Sequence, residues 1–504
     1  VGIIAGLVLL AYGMVMAGYL TAMSWSQPIL DSFAFRQTQT AVSAYWLLRG
    51  GPMLAYQTPV IGFPWSIPFE LPMYQWLVAG LSHVLQLSVD HSGRIVSLGF
   101  FAGSAVLIYR TAMALTRERP LALACAAMLL CSPLMLFWSR AVMIESTALF
   151  FSLAFVWSMA EYLRSFRMGW AVFATVSAVL AALVKVTTFF GFAFVVFCGL
   201  LWLWYSGRKE AGYARNLRVT AVAGVAVLFS LVCLKLWLHV TDGLKMQTMW
   251  GEELTSSALG AWNYGTLAQR MDPKFWIDVV FGRSLLDGLG SAAVFLTAVA
   301  VALTSRTTRA AAVILLAGYL APFLVFTNLH FVHDYYQYAN MACATTLVGV
   351  AIWSLMQRLP GARYVPLMAV LVVIAFSWGR VGSHFAPMIR QDMANGRTLQ
   401  LARHLRANTA PESAVLIIGL DWASDVPYYA ERKAVMLPDW LSSDVIAKVV
   451  DTRAAFGPTQ VGALVLCPST LKKDVAKRAS LERVTEVYAT GRRRSLVAGC
   501  EVYD

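Results

Sequence analysis

The sequence predicts a polytopic α-helical membrane protein that ends in a small α/β domain. Three observations carry this. Of 504 residues, 59% are hydrophobic and only 13% charged, with a mean hydropathy of +0.63; a soluble chain is nearer half apolar and a quarter charged. About eleven apolar runs approach the length needed to cross a bilayer, roughly 17–25 residues, with shorter ones tolerated inside a bundle. From Arg380 onward the pattern changes to short strand-like runs alternating with helical ones, as in an α/β unit of ordinary size.

The apolar runs lie near 2–23, 94–115, 121–137, 142–163, 170–184, 186–205, 219–238, 289–304, 310–327, 339–355 and 365–379. The first has neither a basic leader nor a cleavage site, so it reads as a membrane helix rather than a signal peptide. Basic residues set the sidedness. Alternate loops carry Arg117 and Arg119, Arg164 and Arg167, Arg208, Lys209, Arg215 and Arg218, Arg306 and Arg309, then Arg358 and Arg363. Loops of this kind are retained in the cytoplasm. The other side then receives 24–93, the turn from Trp138 to Arg140, 239–288, 328–338 and the tail. The expected domains are 1–379, a membrane domain with long outer loops 24–93 and 239–288, and 380–504, an external α/β domain. The expected location is a bacterial inner membrane, with the tail on the periplasmic side.

The net charge of +13 does not indicate nucleic acid. Residues 1–379 hold 23 Lys and Arg against 14 Asp and Glu, and residues 380–504 hold 17 against 13. The excess lies mainly in short membrane loops, and no basic-aromatic stripe accompanies it. Among seven cysteines there is no CxxC pair. Cys125, Cys131, Cys198, Cys233 and Cys343 fall in apolar runs and read as core residues. Cys467 and Cys500 lie in the tail and can pair if it faces an oxidising compartment.

Within 24–93, residues 32–49 and 73–87 read as two helices lying along the membrane surface. Gly50-Gly51-Pro52 and four further prolines break the chain between them. In the tail, helices are expected over 391–408, 442–450 and 471–479. Strands are expected over 414–419 and 462–467 and near 484–488 and 495–502. No Gly-rich phosphate loop follows a strand, which argues against nucleotide binding.

The organising stretch is Asp31-Ser-Phe-Ala-Phe-Arg-Gln-Thr-Gln-Thr-Ala41, directly after the first apolar run. A carboxylate there is costly unless solvated, paired or used. It is followed by Pro72-Met73-Tyr74-Gln75-Trp76 and by Gly93-Arg94 at the start of the next run. This order of elements resembles the GT-C glycosyltransferases. It is most similar to the family 39 group, which includes protein O-mannosyltransferases and the lipid A aminoarabinose transferase. The resemblance covers the membrane domain, about three quarters of the chain. It implies a GT-C membrane fold of about eleven transmembrane helices plus two interfacial helices. It also implies inverting transfer of a sugar from a polyprenyl-phosphate carrier to an acceptor that is a lipid such as lipid A, a polysaccharide or a protein. Membrane lipids are implied as surroundings, and no cofactor as required.

On this resemblance Asp31 takes the place of the catalytic base, and its ordinary alternative is a solvated or capping Asp. Arg36 and Arg94 are candidates for the donor phosphate or sugar. Glu70 departs from the aminoarabinose transferase, which has Lys in the corresponding element; either the phosphate clamp differs or Glu70 meets the sugar. In Ser139-Arg140-Ala-Val-Met-Ile-Glu145, Arg140 can hold phosphate and Glu145 can orient acceptor or Arg140, or the two simply pair. Lys185 interrupts an apolar run and needs an anion, either the carrier phosphate or an interhelical carboxylate. The loop from Asn328 to Tyr338 offers His330, His333, Tyr335 and Tyr336 for the donor phosphate, or as an interfacial aromatic belt. Two histidines and Asp334 also invite a divalent metal, but spacing fixes no third strong ligand, and none is assigned. A flippase for lipid-linked glycans and a non-catalytic envelope-assembly protein are the rival functions. Polar membrane residues cluster near the outer ends of runs rather than at mid-span, which disfavours the first.

Overall fold

The computed structural model describes residues 2–206, 210–359, 361–362, 364–469 and 474–504. The expected loop residues Arg208, Lys209 and Arg363, and the first part of the 471–479 helix, lie outside them. The chain folds into two compact units. One comprises 1–26, 94–236 and 260–390; the other comprises 27–93, 237–259 and 391–504. The expected division at 379/380 therefore falls at 390/391, and both long loops contribute to the second unit.

The first unit is helical. Among the described residues, seven helices are long and apolar enough to cross a bilayer: Gly2–Ser24, Val89–Thr116, Glu145–Ser165, Met168–Ser206, Gly212–Lys245, Asp334–Arg358 and Tyr364–Ile389. A bent pair, Phe275–Leu289 and Ala292–Thr304, turns through 88° and makes an eighth candidate. Arg119–Cys131 and Arg309–Val325 are shorter and apolar. Met168–Ser206 is two helices joined at Lys185, where the backbone becomes extended (φ −163°, ψ 94°). Both limbs pack on Glu145–Ser165: Trp170 meets Trp157 and Phe189 meets Phe155, edge to face. With that element counted twice, the eleven apolar runs all correspond to helices.

Small residues let these helices approach closely, as membrane packing requires. A Cβ on Gly13 would lie 2.7 Å from the Leu130 carbonyl oxygen, and one on Gly349 would lie 2.7 Å from the Cys125 backbone. Arg119–Cys131 is thus gripped from two sides. It is only 13 residues long, a length tolerated because neighbours bury it. It ends at Ser132, whose hydroxyl accepts from the Met135 N–H as the next helix opens on Pro133, the position where a missing N–H costs least. The run expected over 121–137 is therefore broken in the middle. Asp287, in the bent pair, is ion-paired with Arg380 and lies 3.7 Å from His384.

The second unit is built on a five-stranded sheet of order β2-β1-β3-β5-β4. The strands are β1 Ala414–Ile418, β2 Lys433–Leu437, β3 Val461–Leu466, β4 Arg494–Val497 and β5 Cys500–Tyr503. β1 runs parallel to both β2 and β3, while β5 pairs antiparallel with β3 and β4. All five β1 side chains are buried, as a central parallel strand covered on both faces requires. Cys467 and Cys500 form a disulfide. The strand expected near 484–488 is instead part of the helix Val475–Ala489. Leu481, Val484 and Tyr488 are buried there, at three- and four-residue steps that only a helix brings onto one face.

The helices expected at 32–49 and 73–87 form as Ala34–Leu48 and Met73–Leu85. The first buries its polar side against the protein. Its polar residues Gln37, Thr38, Gln39, Thr40 and Ser43 are all buried. Burying polar groups demands partners: Thr38, Thr40 and Ser43 donate to the helix's own carbonyls four residues back, and Ser43 also meets Thr58 at 2.7 Å.

Candidate active site

The sequence-selected residues fall into two clusters, one in each unit. In the second unit, Asp31 sits just before the helix Ala34–Leu48. Phe33 adopts a left-handed conformation (φ 45°) to start that helix, folding the chain back so that Gln37 reaches Asp31. Asp31 Oδ1 accepts from the Ser32 N–H at 2.9 Å and the Gln37 side-chain amide at 2.8 Å. Gln37 also donates to the Ser32 carbonyl. The carboxylate is thereby fixed in orientation. Upstream, Ile29 N–H donates to the Tyr429 hydroxyl, and Tyr429 and Tyr428 both donate to Asp90. Tyr429, itself held by Asp90, thus anchors the stretch that leads into Asp31.

One helical turn on, Arg36 donates to Gln39 and pairs with Glu70 at 3.1 Å. Glu70 is 8% exposed and also accepts from Gln75 at 2.9 Å. Tyr56 is buried beside it, and burial, reinforced by the Glu70 carboxylate, pushes its phenol well above the usual range. The carboxylate expected to face sugar is therefore already paired with a guanidinium. Lys245 adds a buried cation: it pairs with Asp242 at 3.1 Å and lies 4.5 Å from the Phe69 ring centre. Sequence suggested neither Gln37 nor Lys245. Gln37 is one more polar residue in a polar run, and Lys245 closes a long apolar helix where an interfacial lysine is ordinary.

In the first unit, the helix break at Lys185 turns its side chain onto Glu145, with Nζ 2.7 and 2.6 Å from the two carboxylate oxygens. The sequence reading favoured the carrier phosphate as the anion for Lys185, with an interhelical carboxylate as the alternative, and left open whether Glu145 orients acceptor, orients Arg140 or pairs with it. The structure pairs the buried Lys185 with Glu145, the interhelical alternative. Glu145 opens a helix, where the amide dipoles favour a carboxylate. The ammonium also lies 3.6 Å from the Tyr336 ring centre and 5.2 Å from that of Tyr335. His333 stacks on Tyr336 with ring centres 5.6 Å apart and lies 5.2 Å from Tyr335. Glu145, Lys185, His333, Tyr335 and Tyr336 are therefore one assembly, which Trp138 joins through Tyr335.

The remaining residues are placed differently. His330 is 2% exposed and packs on Phe323. Burial, with Lys185 and His333 nearby, pushes it down to about 3. A neutral imidazole there brings no charge to a phosphate. Arg140 is buried with its guanidinium 4.4 Å over the Phe137 ring. Arg94 is buried and donates to the Trp25 carbonyl at 3.2 Å. Among the described residues, no group of three or more His, Cys, Asp or Glu side chains is arranged to hold a metal.

Comparison with known proteins fits this architecture. The family model for dolichyl-phosphate-mannose-protein mannosyltransferase matches residues 48–241. No curated protein sequence matches the chain. Among solved structures, ArnT from Cupriavidus metallidurans bound to undecaprenyl phosphate is 13% identical, covering 99% of this chain and 97% of that one at a TM-score of 0.62. The oligosaccharyltransferase of Archaeoglobus fulgidus is 12% identical over 94% of this chain and 71% of its own, at 0.57. The arabinofuranosyltransferase AftD from Mycobacteria is 15% identical over 98% of this chain and 40% of its own, at 0.51. This protein therefore has the GT-C glycosyltransferase fold, and it resembles family 39 in its membrane portion.

Proposed function

We propose that this protein is an inverting glycosyltransferase that moves a sugar from a polyprenyl-phosphate carrier to an acceptor outside the cytoplasm. The observation that carries the reading is Asp31, held in one orientation by Ser32 and Gln37 just before the helix Ala34–Leu48. An acceptor hydroxyl is a poor nucleophile near neutral pH. A fixed carboxylate that accepts its proton as the oxygen attacks C1 of the sugar contributes roughly 10²–10⁴ in rate. The C1–O bond to phosphate breaks, and the polyprenyl phosphate leaves with the electron pair. Cations and hydroxyl donors stabilise the charge building on it. By the resemblance alone, Arg94, Arg140, Lys185, His333, Tyr335 and Tyr336 are candidates for that phosphate, and Arg36 and Glu70 for the sugar. No cofactor is assigned.

Two further observations support the reading. The relatives in fold include one solved with undecaprenyl phosphate. The Cys467–Cys500 disulfide favours an oxidising compartment for the tail, in line with a bacterial inner-membrane protein whose tail is periplasmic.

The test is to incubate the purified protein in lipid with a panel of polyprenyl-phosphate sugars and envelope acceptors and to weigh the products. An acceptor heavier by one sugar residue, made only with a monophosphate carrier, is the expected result. Turnover solely with a pyrophosphate carrier, or none with any donor, would overturn the assignment.

A further inference from the structure

We propose that the carboxyl edge of the tail sheet is a saccharide-binding platform and that the acceptor of this protein is a glycan. The inference rests on the transferase reading for the word acceptor, but not for the binding itself.

The platform is formed where β1 and β2 end. After β1 the chain runs Gly419-Leu420-Asp421-Trp422, and both Gly419 (φ 91°) and Asp421 (φ 51°) are left-handed. A non-glycine residue in that region is uncommon and is usually held there by its surroundings. Here it throws Asp421 outward beside Trp440, which follows β2. The Trp440 indole N–H donates to Asp421 Oδ1 at 3.0 Å. Trp440 is nevertheless 50% exposed. A large aromatic ring half open to solvent, with its polar edge tied to a carboxylate, is a flat surface in a fixed orientation. Trp250 lies beneath, fully buried and edge-on to both Trp422 and Trp440, with ring centres at 6.0 and 5.3 Å. Its indole N–H has no hydrogen-bond partner among the described residues, and such a buried donor calls for explanation.

This chemistry selects a sugar. The C–H face of a pyranose ring matches an indole plane, and its hydroxyls donate to an exposed carboxylate such as Asp421. Open parallel sheets bind ligands at the carboxyl ends of their strands, where the connections diverge to either side. Here β1 connects outward to β2, and β3 lies on its other side. The platform also continues into the candidate site of the same unit. Trp422 packs edge to face on Phe35 at 4.9 Å and lies 6.3 Å from Phe69; these are the residues preceding Arg36 and Glu70. A glycan on Trp440 is therefore held by the unit that contains Asp31.

The experiment titrates the full-length protein in detergent with maltotetraose, chitotetraose and mannotetraose, and separately with a Ser/Thr-rich peptide. Calorimetry and saturation-transfer NMR give the readout. At least one oligosaccharide should bind with millimolar affinity. Trp440→Ala should weaken that binding at least tenfold and Trp440→Phe less than threefold, with thermal unfolding unchanged in both. Asp31→Asn should bind as the parent does. Binding by none of the three sugars, binding indifferent to Trp440→Ala, or binding of the peptide instead would overturn the proposal. Because no transfer is measured, failure of the transferase reading would leave this outcome intact, and the reverse also holds.

Discussion

At the scale of single residues, the feature with the largest energetic consequence is the buried pair Lys185–Glu145. Each side chain is below 10% exposed. Removing one partner strands the other charge, which costs about 3–5 kcal/mol, whereas replacing both with apolar groups of similar size is often close to neutral. Lys185→Met and Glu145→Gln should each lower the thermal unfolding temperature markedly in detergent. The double variant should recover much of the loss. A double variant as unstable as the sum of the singles would show that the pair is not an energetic unit. The sequence revealed half of this. A lysine inside an apolar run must meet an anion, and that much was legible. Its partner was not, because Glu145 lies forty positions away and meets Lys185 only once the two limbs of Met168–Ser206 fold back on the same neighbour. Asp31 is proposed from its position in the sequence; its contact with Gln37 was not legible, since only the left-handed turn at Phe33 makes Gln37 reach back.

At the scale of elements, apolar length was enough to locate the long apolar helices among the described residues. What it missed were breaks and faces. The break at Ser132-Pro133 was visible as a proline but was absorbed into one run. The helix Ala34–Leu48 reads as amphipathic in sequence, yet its polar side is buried, because its hydroxyls can satisfy themselves on its own backbone. β2 was overlooked: Ala434 to Leu437 is a run of only four apolar residues introduced by Arg432 and Lys433, although Pro438-Asp439 closes it. Close helix contact is the property most open to test. Gly13 lies where a side chain would collide with the Leu130 backbone, which cannot retreat as a flexible side chain can. Gly13→Val should therefore reduce thermal stability by several degrees, with Gly18→Val, in open space, as the neutral control. Equal behaviour of the two would show that the first helix does not pack as described.

At the scale of the whole molecule, the account makes one prediction about sidedness and one about chemistry. Loops bearing Arg117, Arg164 and Arg306 belong in the cytoplasm on the positive-inside argument, and the tail belongs outside. A membrane-impermeant maleimide should label Glu482→Cys in intact spheroplasts and leave Thr307→Cys unlabelled until the membrane is opened; both positions are exposed on the protein. The reverse pattern would remove the oxidising environment that the disulfide implies.

The proposed chemistry rests on a single carboxylate, and its exchange for an amide is the most direct measurement. Asp31→Asn keeps size and hydrogen-bonding capacity but cannot accept a proton. With a sugar donor on which the parent protein is active, single-turnover transfer should fall by about 10²–10⁴, while binding of the polyprenyl-phosphate carrier stays within a few fold. An Asp31→Asn protein that transfers sugar at the parent rate would contradict the account.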